Sequence, residues 1–382
     1  MPANTTPIPL VTSEGDDAPA PGIALSLSGG GFRAMLFHLG VIWRLNDMAF
    51  LPRLNRVSSV SGGSITAGLL GLRWAALDFD SDGKSRKFDA LVTRPLRALA
   101  NERIHEPSIV RGLLSRGTVG DQVAQRYEKH LYGAATLQDL PDDAQGPRFV
   151  INATNLQSGR LWRFSKPYMA DYLVGLVDRP TVKIADAVAA SSAFPPFLSP
   201  FHLSVPLDAY KTVEGNKLTS PEYRKKVYLS DGGVYDNLGI ETTWKNFQTI
   251  LVSDAGGRMG GNAKPPGFWL THTKHVLDVI DNQVRSLRRK QVVQSFKNGE
   301  REGAYWSTYG DLTEYRAQGL LPCPFASTQK LARVKTGLTK LDERTQEQLI
   351  NWGYAACDAG VRSYVDKSLP PPVAFPYPNA GV

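Results

Sequence analysis

The 382-residue chain carries 44 basic and 36 acidic residues, a formal net charge of +8, with 42% hydrophobic and 21% charged residues. That balance excludes a disordered or fibrous protein and a mini-protein, and leaves room for one large α/β domain or two smaller ones. The basic surplus favours anionic partners such as phospholipid surfaces or nucleic acid, and two cysteines, Cys323 and Cys357, are too few for a disulfide scaffold or a four-cysteine zinc site, although one bridge between them stays open.

In chain order, Met1 to Gly22 lacks the basic start and apolar run of a secretory signal and reads as a flexible arm. No stretch reaches the roughly 20 consecutive apolar residues that cross a bilayer, so the chain is expected to be soluble or peripheral. Ile23 to Ser28 reads as a buried strand running into Gly29-Gly30-Gly31, and apolar residues at helical spacing predict a helix over Arg33 to Met48. Leu54 to Val60 repeats the strand, Ser61-Gly62-Gly63 the turn and Ser64 to Leu72 the helix. A polar stretch, about 78 to 145, reads as a helical insertion containing a helix over Val119 to His130.

Strands return at Arg148 to Asn155 and Arg160 to Phe164, then a small-residue helix at Ile184 to Ala190 runs into the Pro-rich Phe194 to Pro200. Val227 to Leu229 and Thr249 to Ser253 resume the sheet. A long polar helix over His272 to Lys297 and a last one over Leu341 to Tyr364 precede the Pro-rich tail, residues 370 to 382. Strands separated by helices predict an α/β fold with a mostly parallel sheet covered on both faces. No linker or repeat divides it, so a single domain is expected over residues 23–369, with core motifs in 23–257 and a C-terminal helical part over about 266–369.

Three segments carry chemistry. Ser59-Val60-Ser61-Gly62-Gly63 places a serine between a strand and a helix with glycine after it. That is the pattern of a nucleophile elbow, in which small neighbours let a strained turn push the hydroxyl outwards; Ser59 stands where G-x-S-x-G has its first glycine. Ser28-Gly29-Gly30-Gly31-Phe32-Arg33-Ala34 ends a strand and opens a helix, leaving backbone N–H groups for an oxyanion or a phosphate. Its spacing fits neither the dinucleotide fingerprint nor the P-loop. Ser230-Asp231-Gly232-Gly233 ends a strand with a carboxylate, a turn residue unless it is paired with a nucleophile.

In this order the three segments resemble the patatin-like phospholipases and the related cytosolic phospholipase A family. Ala190-Ser191-Ser192-Ala193-Phe194-Pro195-Pro196-Phe197 and the Asn237 that follows Asp231-Gly232-Gly233 belong to the same resemblance, which covers roughly Ile23 to Gly257. It implies a three-layer α/β/α patatin-like fold with helical insertions, Ser61 as nucleophile, Asp231 as base, and an oxyanion hole from the backbone of Gly29, Gly30 and Gly31 with Arg33 in support. The implied activity is hydrolysis of fatty-acyl esters of phospholipids or lysophospholipids through an acyl-enzyme, with no cofactor and no metal. The same site serves an acyltransferase, a thioesterase or a triglyceride lipase, and a latent effector awaiting a nucleotide or protein activator is a further alternative. The expected partner is a lipid substrate or phospholipid membrane surface rather than a nucleic acid polymer, and the expected location is the cytoplasm, free or peripheral at membranes. The lipid-targeting calcium domain of some cytosolic phospholipases is expected to be missing, since little chain precedes the glycine loop.

Burial and Arg33 would push the Asp231 carboxyl in opposite directions, so its sign is open at this point. Only His272 and His275 follow Asp231 as partners for a conventional triad, and a solvated helix start is preferred for them over a metal pair. His38 is expected to be packed, and Asp236 and Asn237 to fix a turn. Asp254, in Ser253-Asp254-Ala255-Gly256-Gly257, is the second choice for the base. Arg285, Arg288, Arg289 and Lys290 form a basic face, either solvated or facing anionic headgroups. Phe194, Phe197 and Leu198 are read as an acyl channel or as ordinary core.

Overall fold

A computed structural model describes residues 19–104, 118–257 and 259–382. The strands are β1 Ala20–Leu27, β2 Leu54–Val60, β3 Arg148–Asn155, β4 Arg160–Phe164, β5 Tyr168–Asp171, β6 Gly175–Asp178, β7 Phe201–Ser204, β8 Tyr210–Lys211, β9 Lys226–Asp231, β10 Phe247–Asp254 and β11 Glu302–Ser307. They join in one sheet of order β11-β10-β1-β2-β3-β4-β5-β6-β8, with β9 also paired to β3 and β7 to β9. The centre, β11 through β3, is parallel, and every pairing beyond β3 is antiparallel. The parallel centre follows the sequence expectation; the antiparallel wing does not, because β5 to β8 are too short to leave a periodic signal.

The helices are α1 Gly31–Asp47, α2 Gly62–Arg73, α3 Arg94–Ala100, α4 Val119–Tyr127, α5 Ile184–Ser191, α6 Gly233–Asp236, α7 Glu241–Trp244, α8 Trp269–Asn298, α9 Phe325–Ala332 and α10 Glu343–Tyr364. Strand alternation assigns them to two layers. Leu251 joins Leu25 and Leu27 in the core shared with α1 and α10, whereas its neighbours Ile250 and Val252 pack with Leu238, Ile240 and Val292 from the side of α7 and α8. Both faces of the parallel centre are thus covered, as its run of apolar residues requires.

Several boundaries differ from the sequence reading. Residues 20 to 22 are part of β1 and not of an arm, and residues 1–18 of that arm lie outside the described residues. The helix from Val119 is α-helical to Tyr127 and continues as a π-turn over Glu128–Tyr132. The last helix begins at Glu343 because the Asp342 side chain accepts the Thr345 N–H and caps it. Part of the insertion, 105–117, falls outside the described residues; the rest packs on the core, where the Tyr132 hydroxyl donates to the Ile65 carbonyl at 2.9 Å. Cys323 and Cys357 are both free, so no bridge joins them.

The tightest layer contact is α1 against α10. A Cβ on Gly40 would lie 1.9 Å from the Ile350 carbonyl oxygen, and one on Gly353 would lie 1.8 Å from that of Phe37. Only hydrogen fits between these backbones. Beside the crossing, buried Arg44 and Arg362 each reach Asp358 at 2.8 Å. Past α10 the Pro-rich tail folds back, its Tyr377 and Gly381 carbonyls accepting from the Asn351 side chain. Gly40→Ala must separate the two helices, and overpacking of this kind costs about 1–3 kcal/mol or more. Urea unfolding is expected to show a lower midpoint for Gly40→Ala and an unchanged one for Gly267→Ala, where nothing lies within 4 Å of the added carbon.

Candidate active site

Ser61 follows β2 and caps α2 in a backbone conformation, φ 51° and ψ −120°, that residues with a Cβ rarely adopt. The turn holds because its neighbours are small. A Cβ on Gly62 would lie 2.1 Å from the Gly31 carbonyl oxygen, and one on Gly63 would lie 2.5 Å from that of Leu27. The elbow and the glycine loop are therefore in backbone contact, and Ser61 is 7% exposed. Its N–H donates to the Ser191 Oγ at 2.9 Å.

Asp231 closes β9 and lies opposite Ala153 of β3, one residue beyond the Asn152 that pairs with Val60. β4 occupies the other edge of β3, so β2 and β9 lie end to end on one edge and bring Ser61 and Asp231 side by side, with the Ser61 hydroxyl near enough to the Asp231 carboxyl to favour its charged form. The Gly233 N–H donates to Asp231 Oδ1 at 2.8 Å. Burial pushes the Asp231 carboxyl up to about 7, aided by the charge of Asp281 on α8 and opposed by the Gly233 N–H and the nearby Ser61 hydroxyl.

Arg33 contributes nothing to that shift because its guanidinium points elsewhere. Its Nε and Nη2 donate to the Ala255 carbonyl at 3.2 and 3.1 Å, and its Nη1 to the Val334 carbonyl at 2.6 Å. The side chain fastens the glycine loop to the segment after β10 and to the end of α9. Gly30 and Gly31 adopt φ of 143° and 61°. The Gly29 N–H is not available for an oxyanion, since it donates to the Asn237 carbonyl at 3.1 Å. Among the described residues, no backbone acceptor takes the N–H of Gly30 or Gly31. The expected donor set of three glycines therefore narrows to two.

The other candidates are spent. Asp254 pairs with Arg285 at 3.2 Å and accepts from Tyr305 Oη at 2.8 Å; despite its burial, these neighbours lower its pKa. His38 lies between Ser253 Oγ and the Ser28 carbonyl, and desolvation lowers it to about 4. His272 and His275 sit on the exposed start of α8, and the described residues contain no cluster of three metal-ligating side chains. Asp236 accepts the Glu241 N–H at 2.7 Å, as a turn residue would. The basic face divides, with Arg285 and Arg288 held by Asp254 and Glu241, while Arg289 and Lys290 line a shallow surface depression. Leu198 is core at 6% exposed, whereas Phe194 and Phe197 are 38% and 47% exposed. Ser191 and Asp281 were missed as contributors; the small-residue stretch around Ser191 was visible, but nothing local signals that Asp281 faces β9.

A family profile for patatin-like phospholipase matches residues 25–244, more than half of the chain. The chain belongs to the patatin-like phospholipase family. No curated protein matches it. Among solved structures, human GIVD cytosolic phospholipase A2 is similar in fold, with a TM-score of 0.52 at 15% identity over 88% of this chain and 58% of that one. The same human enzyme in complex with methyl γ-linolenyl fluorophosphonate inhibitor and terbium chloride gives 0.50 at 16% over 88% and 57%. The match thus spans under two thirds of the human chain, and at such identity the likeness is one of fold. Within this patatin-like fold, described residues form no helix long and apolar enough to cross a membrane.

The raised Asp231 carboxyl has a stability signature. Between the ordinary value of 3.8 and about 7 the folded state keeps a proton that the unfolded state releases, so stability falls as pH rises through that window and levels off above it. Asp231→Asn removes this loss. Its urea midpoint is expected to gain on that of wild type from pH 4 to pH 7, as followed by tryptophan fluorescence; a constant difference would show that Asp231 is ionised throughout.

Proposed function

We propose that this chain hydrolyses fatty-acyl ester bonds of phospholipids or lysophospholipids by a Ser61–Asp231 dyad through an acyl-Ser61 intermediate. The observation that carries the reading is the pairing register that sets the Ser61 hydroxyl beside the buried Asp231 carboxyl, itself raised to about 7. A carboxylate of ordinary pKa is a weak base for a serine hydroxyl, and raising it toward neutrality improves the match at working pH. Family membership and the neighbouring Gly30 and Gly31 N–H groups support the same chemistry.

In this reading Asp231 takes the Ser61 proton as Oγ attacks the ester carbonyl carbon. The oxyanion that forms is held by the N–H groups of Gly30 and Gly31. The carbon–oxygen bond to the alcohol then breaks, and Asp231 returns the proton to the leaving oxygen. Water repeats the sequence on the acyl-enzyme: Asp231 removes its proton, the acyl–Ser61 bond breaks, and the proton passes back to Ser61 Oγ. Arg33 supports the loop from behind by its carbonyl bonds rather than by touching the oxyanion. Half-exposed Phe194 and Phe197, on the segment after α5, and Val234, 54% exposed on α6, adjoin the Asp231 turn and offer apolar contact to an acyl chain.

Fatty-acid release from mixed phospholipid vesicles tests this, together with a fluorophosphonate probe of the class that the human relative binds. Wild type is expected to release fatty acid and to label at Ser61, with Ser61→Ala and Asp231→Asn slower by about 10³-fold or more. The labelling rate is expected to rise with pH through about 7, as Asp231 ionises. Full activity in Asp231→Asn would remove the dyad. Activity surviving in Ser61→Ala would remove the nucleophile.

A further inference from the structure

We infer that Ser191 is a positioning residue that ties the nucleophile and the base of the dyad to one point; the inference rests on the hydrolase reading above. The last residue of α5, Ser191 makes bonds to both halves of the site. Its Oγ accepts the Ser61 N–H at 2.9 Å, and its own carbonyl accepts the N–H of Gly232, the residue after Asp231, at 3.2 Å. Two residues on, the Ala193 carbonyl accepts the Asp231 N–H at 2.9 Å. Three bonds from one short segment therefore fix the elbow and the carboxylate-bearing turn relative to each other.

The Ser191 hydroxyl is itself fully engaged. It donates to the Asn152 carbonyl at 2.6 Å and lies 2.9 Å from Ser64 Oγ, whose own hydrogen goes to Ser59 Oγ at 3.0 Å. Asn152 is the β3 residue opposite Val60, and a Cβ on Gly232 would lie 2.4 Å from its carbonyl oxygen. The anchor is thus the strand along whose one edge both halves of the dyad are carried, β2 first and β9 after it. Ser191 is fully buried.

The Ser61 N–H gives the arrangement its consequence. The elbow is strained, and a buried N–H without an acceptor adds the desolvation cost of that group to the strain. Removing the Ser191 hydroxyl lets the turn relax toward ordinary dihedrals, which swings Oγ away from Asp231 and from the glycine N–H pair. A displacement of about 1 Å at a reacting atom can cost about 10²-fold in rate. The hydroxyl of Ser64 has no bond to Ser61, and Ser191 keeps both its Ser61 N–H and its Asn152 carbonyl bond without it, so its loss removes a buried hydroxyl and leaves the elbow's anchor in place.

The test compares wild type, Ser191→Ala and Ser64→Ala. Labelling by an alkyl fluorophosphonate and hydrolysis of p-nitrophenyl butyrate are measured beside thermal midpoints and amide hydrogen exchange. Ser191→Ala is expected to label about 10- to 100-fold more slowly, with kcat reduced, KM unchanged and exchange accelerated at the Ser61 amide. Ser64→Ala is expected to label within about threefold of wild type, although both variants lose stability on the scale of one buried hydrogen bond. Equal rates in a folded Ser191→Ala, or equal slowing in both variants, would overturn the positioning role. Should Ser191→Ala fail to fold, wild-type exchange decides: Ser61 and Gly232 amides protected to the same degree support the clamp, and a rapidly exchanging Ser61 amide refutes it. A wild type whose Ser61 never labels would instead bring down the hydrolase reading, and the positioning role with it.

Discussion

Parallel pairing of β1 with β2 is the constraint on which the site depends. Leu27 stands opposite Ser59, so the two strands end together and release the glycine loop and the serine elbow from the same edge of the sheet. Loops that leave parallel strands at their carboxyl ends meet there as a matter of topology. Here they meet closely enough that Gly31 and Gly62 are in contact. β3 extends the arrangement, running parallel to β2 and antiparallel to β9, and so sets the level at which Asp231 faces Ser61.

What was legible in the sequence follows the length of each signal. α1, β2 and α5 were read to within a few residues because strands and helices of that size repeat their apolar period several times. The antiparallel wing escaped because β5 to β8 carry four residues or fewer, too short for alternation to register. Ser61 was legible because the strained turn it occupies admits few residue types, a restriction written locally, whereas Asp231, in an unstrained turn, was singled out through the family resemblance. The partners of Arg33 were not, since Ala255 and Val334 are more than 200 residues away in sequence. A cation beside a glycine loop suggests a helper for an oxyanion; packing instead turned it toward carbonyls.

That turn of Arg33 also bears on the electrostatics around Asp231. A guanidinium near Asp231 would have held its carboxyl low and made it a poor acceptor for a serine proton. With Arg33 facing carbonyls and Asp281 supplying a like charge, desolvation prevails and the carboxyl rises. Asp254 makes the contrast. It too is buried at the end of a strand before two small residues, yet Arg285 and Tyr305 surround it and lower it. Two aspartates alike in sequence context thus differ in chemistry through the partners that the long helix α8 and β11 bring.

Ser59 completes the argument, because it occupies the position where the elbow pattern carries glycine. A glycine is favoured there when the following helix must pass close to the strand. In this chain the added side chain is accommodated by being bonded: Ser59 Oγ accepts from Ser64 Oγ at 3.0 Å and donates to the Val150 carbonyl at 3.3 Å. The same Ser64 reaches Ser191, and Ser191 reaches the Ser61 N–H. The departure from glycine is therefore tied into the hydroxyl network beneath the elbow. A Cβ at position 59 without an oxygen would fill the space yet leave Ser64 with one acceptor fewer in a region closed to water.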